Sequence, residues 1–249
     1  MGIVDQRRLS RSTDVQPKEG RGVKQDFATR FTGATFVAAA LMLWLGWACL
    51  PVRIGTFFQA DVFGQIHDQF HLWIWVYRVH MFGRVTAVIA LVALGAMMSG
   101  SQARVLVWPG VAVAAAGIFV GSLAEAFYYH HGAWGALELA GKSPAENQAF
   151  IEALRVDTEY VTCLTRFGRV FGGLGFMLIA WGLLRERFLP GILAGVLGLI
   201  GLASIALTMG LPDQLSWYQP IFHALCLWLL VSGIVILRAG IPSTESDSE

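Results

Sequence analysis

Three of the six histidines stand in one stretch, His67 to Arg84 (HDQFHLWIWVYRVHMFGR), beside Arg78, Arg84 and a cluster of aromatic residues, directly ahead of a long apolar run. Neutral imidazoles ligate transition metals and haem iron, and imidazole takes up and releases protons near neutral pH. At about 100° per residue, a continuous helix would place His67, His71 and Arg78 on one face and His80 and Arg84 nearly opposite. No single face holds three histidines. A copper, iron or haem site would therefore have to be assembled between helices.

Residues elsewhere in the chain could complete such a site. His80 and His223 stand close to or inside apolar runs and are the expected cofactor ligands, with a buried hydrogen bond to a neighbouring helix as their alternative use. Cys226 lies three residues after His223, on the same helical face, and could join it as a ligand pair. Glu125 and Asp157 could bind the metal or orient the histidines that do. His67, His130 and His131 fall in or next to loops, where an amphipathic ring anchors at the membrane interface.

The arginines form a second group. Arg78, Arg84, Arg166 and Arg169 enter the apolar region from the same side as Glu125, Asp157 and Glu159. Charges at membrane depth are expensive unless paired, so an interhelical ion-pair network is expected. The sharper alternative is a pocket for an anionic substrate or a lipid headgroup.

These residues must be positioned by helices that cross a membrane. The 249-residue chain is 55% hydrophobic and 14% charged, with mean hydropathy +0.58, which is too apolar for a soluble domain of this length. Apolar runs bounded by charges number six: Arg30 to Arg53, Arg84 to Arg104, Arg104 to Glu125, Arg166 or Arg169 to Arg185, Arg187 to Asp213, and Asp213 to Arg238. Each approaches the roughly 20 residues that a bilayer core requires. The expected fold is an all-α, six-span bundle with an interfacial segment and one amphipathic helix on its outer side. Residues 1–29 read as a disordered basic tail, 30–239 as the membrane domain and 240–249 as an acidic tail.

The basic N-terminal tail and the short turns at Arg104 and at Arg185 to Arg187 favour a cytoplasmic N-terminus by the positive-inside rule. Six spans return the C-terminus to the same side. The expected location is a bacterial cytoplasmic membrane, with the segments from Pro51 to about Trp75 and from Gly132 to about Glu159 outside. Ser143-Pro144-Ala145-Glu146 is a capping box with proline at the first helical position, so a helix should start there with Phe150, Ile151 and Leu154 buried. Trp44, Trp47, Trp73, Trp75, Trp134 and Trp217 fall where an outer aromatic belt would stand.

Phe82-Gly83-Arg84-Val85 recurs as Phe167-Gly168-Arg169-Val170, each at the outer entry of an inward-running span. Either chance or a repeated two-helix unit accounts for it. All six histidines fall in the outer half, whereas a cytochrome that carries electrons across the membrane needs ligands near both faces. Gly-x-Ser-x-Gly and His-Glu-x-x-His are absent, and no span contains lysine. The three cysteines form no CxxC pair.

Two functional expectations follow. The first is a histidine-based metal or haem site near the outer face, serving redox chemistry or a membrane subunit of a redox complex. The second is a non-catalytic small transporter or accessory subunit. The lipid bilayer, and in the redox case other membrane subunits, are the expected partners, and nucleic acid is not.

Overall fold

The computed structural model describes residues 19–51, 58, 60–211 and 215–239, which are helical with short connections and contain no strand. Residues 1–18 of the expected tail, the acidic segment 240–249, and the bounding charges Arg53 and Asp213 lie outside the described residues. Eight helices are present among the described residues: α1 (Glu19–Ala48), α2 (Ala60–Asp68), α3 (Phe70–Met97), α4 (Arg104–Glu138), α5 (Pro144–Ala153), α6 (Arg155–Glu186), α7 (Gly191–Gly210) and α8 (Leu215–Ala239). Six of them, α1, α3, α4, α6, α7 and α8, are long and apolar enough to span a bilayer.

Helix length and apolar length differ, and the difference places the chemistry. Because the backbone keeps its i to i−4 bonds beyond the last lipid-facing residue, α3 starts at Phe70 rather than near Arg84. In the same way α4 continues from Glu125 to Glu138, and α6 begins at Arg155, well before Arg166. The first helix likewise reaches back to Glu19, into the polar segment read as tail. His71, Arg78, His80, Arg84 and Glu125 are therefore helical residues within long rods, rather than residues at span entries. His67 belongs to a different helix, since the chain breaks at Gln69 between α2 and α3.

The six long helices close a ring in chain order. Each packs on its sequence neighbours, α1 on α3, α3 on α4, α4 on α6, α6 on α7 and α7 on α8, and α1 packs on α8 to complete the circuit. Apolar side chains gain little by leaving lipid for protein, so small residues that let backbones approach decide which helices associate. A Cβ on Gly117 of α4 would lie 2.4 Å from the Gly172 nitrogen of α6, and one on Gly175 would lie 2.5 Å from the Ala114 nitrogen. Gly173 and Gly201 do the same for α6 and α7, as Gly33 and Gly233 do for α1 and α8. Opposite the histidines, Glu186 at the end of α6 accepts a hydrogen bond from the Ala103 N–H (3.1 Å), which ties the starts and ends of these helices together.

The antiparallel order brings the start of α3, the end of α4 and the start of α8 to one end of the ring, so all six histidines lie on that side, called here the histidine side. There α2 and α5 build a separate apolar cluster over α3 and α4. Val62, Phe63 and Ile66 of α2 pack with Phe58, Trp73, Ala136, Leu139 and Leu154, while Asp61, Gln65 and His67 face outward. Trp73 is fully buried in this cluster and donates to the Tyr129 carbonyl (3.3 Å), so it is a core residue rather than a member of an interfacial belt. Trp75, Trp134 and Trp217 are exposed.

Helix α5 begins at the expected capping box. The Ser143 N–H donates to the Glu146 carboxylate (2.8 Å) while the Ser143 hydroxyl receives the Glu146 N–H (3.4 Å). The hydrogen bond from the Ser143 backbone, followed by that from its side chain, holds the Glu146 carboxyl below its ordinary range. Leu154 is buried, with Phe150 and Ile151 partly so, and a break at Leu154 turns the chain from α5 into α6.

Candidate functional site

The ring surrounds a partly open cavity of about 330 Å³ to which all six long helices contribute. Trp47 comes from the end of α1 and Leu50 from the connection just after it, and Tyr77, His80 and Arg84 from α3. Gly117, Gly121, Glu125 and Tyr128 line it from α4, and Thr162, Thr165, Gly168 and Arg169 from α6. Ile200 and Ser204 of α7 and Tyr218, Phe222 and Leu225 of α8 complete the wall. Its volume lies at the small end of the range for ligand pockets, and its composition, largely apolar with a few convergent polar groups, is that of a binding site.

The polar centre is His80, Arg84 and Glu125. Their spacing explains the meeting on α3: residues four apart stand one above the other on one helical face. Arg84 forms an ion pair and hydrogen bond with Glu125 through Nη2, and its Nη1 donates to the Ile118 carbonyl (3.4 Å). His80 Nε2 lies 3.4 Å from the same Glu125 oxygen, within electrostatic reach but without hydrogen-bond geometry. Three atoms of this group, His80 Nε2, Arg84 Nε and Glu125 Oε2, are buried with no hydrogen-bond partner among the described residues. Leaving such groups unpaired costs on the order of 1–3 kcal/mol each, more where the group is charged.

Two glycines make room for this group. A Cβ at Gly46 of α1 would lie 2.9 Å from the His80 Cβ, and one at Gly121 of α4 would lie 2.8 Å from Arg84 Nη1. The His80 ring is buried between α1 and α8, where Phe222 stacks on it at 5.8 Å and 25°. Tyr77 and Tyr128 form the histidine-side end of the wall. Beyond them, Tyr77 packs on Trp73 and Tyr129, and Tyr128 on Phe58, so the cavity adjoins the α2 cluster through these two rings.

Arg169 is the second arginine of the wall. Its guanidinium lies 3.3 Å from the centre of the Tyr218 ring, and its carbonyl accepts from Ser204 of α7 (3.1 Å). Tyr218 in turn donates to Thr208 (2.7 Å). The two Phe-Gly-Arg-Val segments occupy equivalent places. Phe82 and Phe167 point away from the ring, Gly83 and Gly168 touch the preceding spans α1 and α4, and Arg84 and Arg169 line the cavity.

Of the five residues expected to bind a metal, the structure brings His80 and Glu125 together. His223 is exposed at the start of α8, where its Nδ1 accepts from Trp44 Nε1 (3.1 Å) and its ring meets Trp47 edge-on. Cys226, three residues on, is fully buried in the main core, because the boundary between the outer and inner faces of α8 falls between the two. Asp157, in the first turn of α6, and Glu159, two residues on, are exposed. At 1.5 Å per residue, Asp157 stands roughly 18 Å along the helix from Arg169. No cluster of three His, Cys, Asp or Glu side chains suited to a metal occurs among the described residues.

Of the expected arginine network, the Arg84–Glu125 pair is the part that stands in the cavity wall. Arg84 meets Glu125, Arg78 is exposed with its guanidinium 5.5 Å from the Trp75 ring, and Arg166 is exposed on α6. Sequence reasoning did not find Tyr77, Tyr128, Phe222, Tyr218 or Ser204 as wall residues. An aromatic or hydroxyl side chain in an apolar run carries no mark of the face it occupies. No family model, curated protein or solved structure matches this chain.

Proposed function

We propose that this chain is a multi-pass protein of a bacterial cytoplasmic membrane, with both termini cytoplasmic, that takes a small ligand into its central cavity from the outer, histidine side. This is the transporter reading of the sequence. The observation that carries it is the combination of a cavity walled by every span with a charged centre, Arg84 and Glu125 beside His80, in its lining. A purely structural ion pair at a helix interface would be closed over by packing. Here the pair instead forms part of the wall of an apolar, aromatic-lined cavity, where its side chains remain partly exposed and a ligand can meet them. His80 beside Glu125 is also an arrangement through which a proton can be held at membrane depth, as carriers that couple to protons require.

Access to the cavity is the property to measure. In a chain with Cys49 and Cys163 replaced by alanine, Thr165→Cys introduces a thiol into the wall. A membrane-impermeant maleimide added from the outer side should alkylate it, and native mass spectrometry of the gently purified protein should show a bound small molecule. A thiol that is unreactive from both sides, in a protein carrying no bound molecule, would overturn the reading. A haem absorption band or tightly held metal in the same preparation would favour the redox reading, with His80 as the ligand.

A further inference from the structure

We propose that Arg78 and Trp75 of α3 form a headgroup site for one acidic phospholipid of the histidine-side leaflet. The guanidinium holds the lipid phosphate, and an acyl chain lies along Phe82, Val85, Ile89 and Val92. This site stands on the outer face of the ring and does not depend on what the cavity holds. Trp75, Arg78, Phe82, Val85, Ile89 and Val92 recur at helical spacing and are all exposed, so they form one stripe of α3 turned away from the other helices. In a six-span bundle such a stripe faces lipid. From Arg78 to Met97, where α3 ends, the helix rises roughly 29 Å at 1.5 Å per residue. A hydrocarbon core is about 30 Å thick. With the apolar part of the stripe filling that layer, Arg78 stands at the level of the lipid phosphates.

The charge at this depth lacks a counter-charge from the protein. Among the described residues the Arg78 guanidinium makes no ion pair or hydrogen bond, in contrast to Arg84 two turns on, which is paired with Glu125 inside the ring. Its contact is with the Trp75 ring, 5.5 Å from the ring centre. Helical side chains tilt toward the N-terminus of their helix, which for α3 is the histidine side, so the Arg78 stem carries its charge out of the apolar layer. A guanidinium lying over a ring keeps its N–H edge for another partner, and that fork matches two phosphate oxygens. An acidic head suits an unpaired cation better than a zwitterionic one, which brings an ammonium of its own. The indole beside it is a side chain suited to the headgroup level.

Native mass spectrometry of the full-length chain, released from nanodiscs of phosphatidylglycerol and phosphatidylcholine in equal parts, tests the assignment. The unaltered protein should retain phosphatidylglycerol several-fold over phosphatidylcholine, a comparison that needs no variant to fold. Arg78→Gln should retain one phosphatidylglycerol fewer, with its melting temperature near that of the parent because the side chain is exposed and unpaired. Arg78→Lys, which keeps the charge without the planar fork, should keep part of the preference. Arg155→Gln alters an exposed arginine paired with Glu152 at the start of α6 and should leave retention unchanged. Excess inorganic phosphate should not displace the lipid. Equal retention of the two lipids by the parent, or the same phosphatidylglycerol count in Arg78→Gln, would overturn the proposal. Displacement by inorganic phosphate would show a site for soluble anions and overturn the lipid as its occupant.

Discussion

Arg84 on α3 and Glu125 on α4 are joined by an ion pair across two adjacent spans, 41 residues apart in sequence, with His80 Nε2 3.4 Å from the shared carboxylate oxygen. The pair sits in the wall of a cavity rather than in a packed interface. That position makes it both a link between helices and a surface for a ligand. Four predictions follow from the geometry.

The pair should stabilise the ring. Its side chains keep 21% and 26% exposure, so breaking it should cost less than the roughly 3–5 kcal/mol of a fully buried pair, about 1–3 kcal/mol for Glu125→Gln or Arg84→Gln. The double variant should lose less than the sum, since neither partner is then left alone. Thermal unfolding in detergent reads this, and strict additivity would show that the two side chains do not interact.

The α4–α6 contact should tolerate no added atom. Gly117→Ala places a methyl 2.4 Å from the Gly172 nitrogen, which no rotamer can relieve, and should destabilise by about 1–3 kcal/mol. Gly64→Ala in α2 meets nothing within 4 Å and should gain up to about 1 kcal/mol from helix propensity. A Gly117→Ala protein as stable as the parent would mean that α4 and α6 do not touch here.

Acid should loosen the start of α5. The Glu146 carboxyl titrates below its ordinary 4.5 when it accepts from Ser143, so its contribution is fully present above pH 4.5. That contribution is lost as pH falls through the lower, folded value. Amide hydrogen exchange over residues 147–153, corrected for its intrinsic pH dependence, should accelerate in this window. In Ser143→Ala the exchange should be faster at neutral pH, by roughly five-fold for the ~1 kcal/mol of an N-cap, and the acid step should shrink but persist, because the backbone N–H at position 143 still donates to the Glu146 carboxylate.

Orientation can be read with two single cysteines. Ala140→Cys follows α4 on the histidine side, and Arg187→Cys follows α6 at the opposite end; both positions are exposed. In a background without Cys49 and Cys163, an impermeant maleimide applied to intact cells should modify the first and spare the second. The reverse pattern would place the cavity's histidine side in the cytoplasm.

The candidate site was legible in part, and for reasons that differ by residue. Burying a guanidinium and a carboxylate in apolar runs demands a partner, and that demand is visible in Arg84 and Glu125 before any fold is known. Asp157 and Glu159 carry the same charge but are exposed on the part of α6 that precedes the apolar run, clear of the cavity wall. Hydropathy does not mark that extension, because a helix continues past the residues that face lipid. His223 and Cys226 share a helical stripe by spacing, yet the edge of the packed surface runs between them.

By itself the sequence determined the number of spans, the helix started by Ser143 to Glu146 and the gathering of histidines at one end. These depend on apolar length, local hydrogen bonding and the alternation of direction that each span imposes. Only the tertiary structure decided that the six helices close in a ring around a cavity, and that His80, Arg84 and Glu125 meet in its wall while Asp157, His223 and Cys226 do not. The physical reason is that lipid and protein interior are nearly equivalent surroundings for an apolar side chain. Periodicity then leaves open which face turns inward, and that choice falls to glycine contacts and buried charges brought together from distant parts of the chain.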